Sequence, residues 1–261
     1  MQLLSRRFWC NMLLLALASP LYANPNQLVF CYEDQDSYPW VMKTHTGLNL
    51  SLMNLLQRDL GLHISLLPLP WKRCLTELQA SQVDGAFAAS FQADRLGMGS
   101  YPPGKNGVPD PSLRLHMSSY SLYRLKGSTL DWDGQRFLHL QGSIGIIRST
   151  SIGPFLRQHD VSVDEGTAQP DATLRKVALG YVQGAALQTS RAEWVLLHDT
   201  ELARKIEAAP LLLQEKPYFL MLSFQLTRQS PQLADKIWQQ VAHIRETAEF
   251  HHIEYAFYNG N

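Results

Sequence analysis

Val83-Asp84-Gly85-Ala86-Phe87-Ala88-Ala89-Ser90-Phe91-Gln92-Ala93-Asp94-Arg95, followed closely by Ser100-Tyr101-Pro102, is the stretch that decides the fold. It reads as the end of a helix, a tight turn at Asp84-Gly85, and a short apolar strand carrying a hydroxyl and a guanidinium at its far end. A weaker copy recurs further along, at Val182-Gln183-Gly184-Ala185-Ala186-Leu187-Gln188-Thr189. Two such units facing each other enclose a cleft, with a bidentate anion clamp where a buried strand opens into solvent.

Outward from that stretch, helical and extended patterns alternate. Leu28 to Tyr32 is a buried strand. Gly47 to Leu60 carries leucines at helical spacing and stops at Gly61. His63 to Leu67 reads as a strand and Trp71 to Gln79 as a helix, so βαβ units and an α/β fold are expected. Residues 101–112 form a loop, and Leu113 to Leu125 is extended. A second α/β set follows: a strand over Gly142 to Ile147, a helix from Thr150 to about His159, a helix over Ala172 to Leu179, a strand at Ala185 to Leu187 and a helix from Ser190. Tyr218 to Leu226 is a second long extended run, and a helix over Pro231 to Phe250 closes the chain. One extended run out and one back predict a discontinuous first lobe with a second lobe inserted, hinged at the crossings.

The bulk numbers fit an exported globular protein. The chain has 261 residues, Lys+Arg 23 against Asp+Glu 23, and 45% hydrophobic residues. That is enough for a core close to the size at which cores divide, and the even charge argues against a nucleic-acid partner. Arg6 and Arg7, the apolar run Phe8 to Ala18, and Ser19 to Ala23 read as a secretory leader cleaved after Ala23; the competing account is an uncleaved anchor. Cys10 leaves with the leader. Cys31 and Cys74 remain, and an oxidising compartment favours their disulfide over two buried thiols.

In this order and spacing, Asp84-Gly85, Ser90, Asp94-Arg95, Ser100-Tyr101-Pro102, Ile144-Gly145-Ile146, Ser149-Thr150-Ser151 and Leu179-Gly180 resemble the periplasmic solute-binding proteins of ABC importers, specifically the polar amino-acid-binding family. The resemblance runs over residues 24–258. It implies a type II periplasmic-binding-protein fold: two lobes, each a βαβ sheet flanked by helices, joined by a two-strand hinge. The boundaries it suggests are a leader at 1–23, lobe 1 over 24–119, an inserted lobe 2 over 120–218, and the rest of lobe 1 over 219–261. By the same resemblance Arg95 grips a ligand carboxylate with help from Ser90. The loop Ser149-Thr150-Ser151 contributes backbone N–H groups and a hydroxyl from the second lobe, and Tyr38 or Trp40 covers the ligand. Two departures stand out. Gln188 occupies the place where members carry an aspartate for the ligand's ammonium, and Asn49 and Ser51 replace acidic positions after Gly47.

Each residue also has a plainer account. Arg95 could pair with Asp94 on the surface, Ser90 could be a satisfied strand-end hydroxyl, and Trp71, an aromatic wall candidate for the ligand like Tyr38 and Trp40, could be core. Arg73 is expected to pair with Glu77 one turn along. No nucleophile elbow or phosphate loop occurs, and His251-His252 with Glu254 read as surface residues rather than metal ligands. The expectation is therefore a monomeric, non-catalytic periplasmic protein without cofactor, binding a small polar carboxylate-bearing solute for an inner-membrane ABC permease. The alternatives are a dehydratase-type enzyme using a cleft acid such as Glu33 or Asp34, and a sensor that presents its closed form to a membrane receptor.

Overall fold

A computed structural model describes residues 27–259; the leader and Cys10 lie outside the described residues. The first strands are β1 (Gln27–Glu33), β2 (His63–Leu69) and β3 (Gly85–Ser90), alternating with helices α1 (Leu48–Leu60) and α2 (Trp71–Gln79). Two short ribbon strands, β4 (Gly104–Lys105) and β5 (Val108–Pro109), interrupt the expected loop before the long strand β6 (His116–Leu125). A hairpin of β7 (Asp131–Trp132) and β8 (Phe137–Leu138) then leads to the second α/β set. That set is β9 (Ile144–Ile147), α3 (Gly153–Gln158), β10 (Val163–Thr167), α4 (Pro170–Ala178), β11 (Gly184–Gln188), α5 (Thr189–His198) and α6 (Thr200–Lys205). Strand β12 (Ile206–Leu222) returns, and helices α7 (Phe224–Gln229), α8 (Pro231–Arg245) and α9 (Ala248–Asn259) follow.

Eight strands join in the order β10-β9-β11-β6-β12-β3-β1-β2. β1 is parallel to β2 and β3, and β9 is parallel to β10 and β11, as βαβ connections require. β6 and β12 pair antiparallel in the middle and carry the chain between the halves. Side chains on the two faces of a strand enter different clusters, and β9 and β11 are buried at every position. Leu28, Phe30 and Tyr32 of β1 join the core beneath α1 and α8, while Cys31 meets Cys74 and Leu78 of α2 on the other face. The β9–β11 half has its own two clusters, one around Leu122, Ile144 and Ile146, the other around Leu174, Val177 and Leu187.

The opening stretch folds as its residues dictate. The Asp84 carboxylate accepts the Val29 N–H at 2.8 Å, pinning the start of β3 to β1. Gly85 sits where a Cβ would lie 2.7 Å from the Phe30 ring, so only glycine lets the strands pack there. Cys31 and Cys74 form a disulfide that ties β1 to α2.

Three expected elements differ. The return crossing begins at Ile206 rather than Tyr218 and ends at Leu222, because Ser223 accepts the Leu226 N–H and starts α7. Pro210, Pro217 and register shifts between Ala208 and Gln214 disguise the strand pattern in the sequence. The terminal helix breaks at Glu246–Thr247, and the helix expected from Thr150 begins only at Gly153.

Candidate functional site

A cleft lies where the carboxyl ends of β1, β3, β9 and β11 meet the crossing strands. Its empty space, open solvent included, is about 740 Å³. This is where open α/β sheets present ligand sites. Its lining includes Arg95, Ser90, Trp40, Trp71, Ser149, Thr150 and Gln188 from both halves of the chain.

Arg95 is 6% exposed, so it is not a surface residue. Its Nη1 donates to the Ser90 carbonyl at 2.9 Å and reaches Ser90 Oγ at 3.2 Å. Its guanidinium lies 5.6 Å from the centroid of the Trp71 ring. The Tyr101 hydroxyl donates to the same Ser90 carbonyl at 2.7 Å, which gives the Ser100-Tyr101-Pro102 segment a bracing task. Among the described residues no carboxylate lies within ion-pairing distance of Arg95, Asp94 included. Arg73 does pair with Glu77, at 3.3 Å. In β3, Ala88 adopts a left-handed φ of 64° beside a register shift opposite Phe219 and Met221; such a bulge re-aims the strand end that carries Ser90.

Trp40 is fixed by its loop. The N–H of Leu48 donates to Pro39 O and that of Asn49 to Trp40 O, both at 3.0 Å, so the first turn of α1 holds the segment. Gly47, at φ 126°, makes this possible, since a Cβ there would sit 2.6 Å from Trp40 O. The Trp40 ring stacks on His116 at 3.7 Å, and His116 on Tyr218 at 5.1 Å. Asn49 Oδ1 faces His116 Nδ1 at 3.1 Å, and burial holds this imidazole neutral, its pKa down at about 3. The neutral residue at 49 thus supports a wall of the cleft.

Tyr38 does not join the cleft lining. Its ring stacks on Trp194 of α5 at 4.2 Å and touches Phe257 and Tyr258 of α9. A planar phenol beside three other aromatics gains more from that cluster than from a wet cleft. Gln169 Nε2 also donates to Gln35 Oε1, so the halves touch near the cleft. Thr150 is spent locally: its hydroxyl donates to Ile147 O at 2.6 Å and its N–H to the same oxygen at 3.3 Å. Since α3 starts later, no helix N-terminus lies at Thr150. The flanking N–H groups of Ser149 and Ser151 have no partner among the described residues, and they are the donors this loop offers.

Further residues with parts here lie outside the sequence reading, His116 and Lys216 among them. Arg191, one turn after Gln188, is 6% exposed and lines the cleft. Tyr218 accepts the Gln188 amide at 2.9 Å and meets the Tyr120 hydroxyl at 3.1 Å, a polar chain across the two crossing strands. Its place three residues after the strand end at Gln188, in the first turn of the helix that follows, could have exposed Arg191; the tyrosines carry no comparable signal. Glu33 also lines the cleft. Burial pushes its carboxyl up to about 7, against the pull of Arg191. Lys216 donates to Ser151 O at 2.9 Å, and burial with repulsion from Arg95 brings it down to about 8.

No family model matches the chain, and no curated protein matches it in sequence. Solved structures do match. A histidine kinase sensor domain with similarity to periplasmic binding proteins aligns with a TM-score of 0.70 at 14% identity, over 89% of this chain and 96% of that one. The chain has the two-lobe fold of periplasmic binding proteins. The GluR0 ligand-binding core from Nostoc punctiforme in complex with glutamate gives 0.66 at 15% identity, over 89% and 98%. An ancestral amino acid-binding protein described as a precursor of cyclohexadienyl dehydratase gives 0.64 at 10%, over 89% and 95%.

Proposed function

We propose that the chain is a periplasmic, non-catalytic solute-binding protein. It closes on a small polar carboxylate-bearing solute and passes it, as a monomer, to an inner-membrane ABC permease. The observation that carries this reading is Arg95: a buried guanidinium in the interlobe cleft, braced by Ser90, with no acidic partner among the described residues. A buried cation is costly unless an anion meets it, and guanidinium pairs bidentately with a carboxylate. Trp71 and Trp40 provide walls, and the N–H groups at Ser149 and Ser151 the second-lobe donors. Neighbours of this fold bind amino acids, which supports a small solute as the guest.

The test is a thermal-shift screen of the purified protein against amino acids, small organic acids and polyamines. A ligand that binds only the native state must raise Tm by mass action. Organic acids should raise it and polyamines should not; a polyamine-specific rise would refute the reading.

Glu33 favours a second reading. A cleft carboxyl titrating at about 7 is suited to general acid–base work, and one structural neighbour is a precursor of a dehydratase. Loss of water from a bound hydroxy acid, followed by NMR and abolished in Glu33→Gln, would decide for an enzyme.

A further inference from the structure

The same cleft holds a second buried guanidinium that carboxylate capture at Arg95 leaves unused. Arg191 stands in the first turn of α5, and its Nε is buried without a hydrogen-bond partner. Its one hydrogen bond among the described residues is from Nη1 to Gln188 Oε1, at 3.4 Å. Glu33 and Asp36 are near enough to act on its charge, yet among the described residues neither forms an ion pair with it. A guanidinium with five donors, taken out of water and given one long hydrogen bond, is held ready for an anion.

We infer that Arg191 forms a second anion subsite in this cleft, so that the solute carries two carboxylates and no ammonium. The inference rests on the cleft being the solute site, and narrows that reading to a chemical class.

Gln188 supports it from the other side. An ammonium needs an acceptor, but the Gln188 carbonyl already faces Arg191 and its amide is committed to Tyr218. The charged side chains lining the cleft are Arg95, Arg148, Arg191 and Glu33, and Lys216 adds a cation beside Arg95. Burial keeps Glu33 partly protonated near neutrality, which weakens the sole acid of that lining. An ammonium would therefore meet the two buried guanidiniums, Arg95 and Arg191, with little to offset them, whereas a dianion satisfies both.

Calorimetric titration of the purified protein tests this with matched acids: succinate, glutarate and adipate against butyrate, valerate and hexanoate, with L-glutamate and L-glutamine alongside. At least one dicarboxylate should bind about tenfold or more tighter than the monocarboxylate of equal length, the increment of one charge-assisted hydrogen-bonded pair. It should also exceed both amino acids, and Arg191→Met should bring it down to the monocarboxylate level. The ladder on the unaltered protein needs no variant, so a misfolded Arg191→Met would not spoil the test. Equal affinity for the two acid series, or tightest binding of glutamine, would overturn the second subsite while leaving carboxylate capture at Arg95 standing. Failure of every acid to bind would overturn both.

Discussion

Glu33 shows how one buried carboxyl couples the cleft to pH. Its ordinary value is 4.5 and burial lifts it to about 7; Arg191 opposes the shift and Asp34 adds to it. Below pH 4.5 the group is neutral in both folded and unfolded chains and costs nothing. As pH rises toward 7 the native state keeps a proton that the unfolded chain has released, so stability falls, and above 7 the loss is complete. Glu33→Gln should therefore leave stability near pH 4 unchanged and raise it at pH 8 by on the order of 2 kcal/mol, read from urea titrations. A variant less stable at pH 8 would mean the charged carboxylate is a net stabiliser. The same residue was legible from the sequence only as a possible cleft acid, because burial and the nearness of Arg191 are properties of the fold. Ser90 can be placed from the sequence because it ends β3, whereas Arg95 lies in the short 3-10 helix Ala93–Gly97 beyond it, and its burial is a property of the fold. Tyr38 and Trp40 could not be told apart, since nothing in Tyr38-Pro39-Trp40 says which aromatic turns inward.

Elements with a strong period could be read closely. The leucines of α1 and the Trp71–Gln79 helix have the bounds their spacing predicts, and Gly61 ends α1 in a left-handed conformation. Strand β10, Val-Asp-Glu-Gly-Thr, was missed because it has neither alternation nor an apolar run. β12 was half-missed because two prolines and its bulges hide a long crossing strand. The Cys31–Cys74 bond belongs to this scale, since it fastens β1, which ends at Glu33, to α2, which begins at Trp71. Both cysteines are fully buried. Replacing the pair with alanine should cost about 2–4 kcal/mol of stability, measured by chemical denaturation under oxidising conditions. A loss below the scatter of the measurement would show that the bond does not restrain the unfolded chain.

For the whole molecule, the question is what holds the halves together over the cleft. Tyr38 on Trp194 and Gln35 with Gln169 join the two halves directly. Contacts that exist only in the closed form shift the balance between open and closed states, and ligand affinity changes with the closed fraction. An aromatic pair of this kind is worth about 0.5–1.5 kcal/mol beyond its buried area, so Trp194→Ala should weaken solute binding by about three- to tenfold without disturbing the fold. Unchanged affinity would remove Tyr38 from any part in closure. The division into lobes was visible in the two extended crossings and the repeated strand-turn pattern, but the contacts between lobes were not, because they join residues far apart in the sequence.

The central claim is that the cleft captures a carboxylate through Arg95, and one comparison tests it most directly. The tightest-binding acid is titrated calorimetrically into the unaltered protein and into Arg95→Ala, with circular dichroism confirming the fold of each. The account predicts that affinity falls by at least about a hundredfold, as expected when a buried charge pair loses one partner, while the spectrum is unchanged. Retained affinity in a folded Arg95→Ala protein would contradict it.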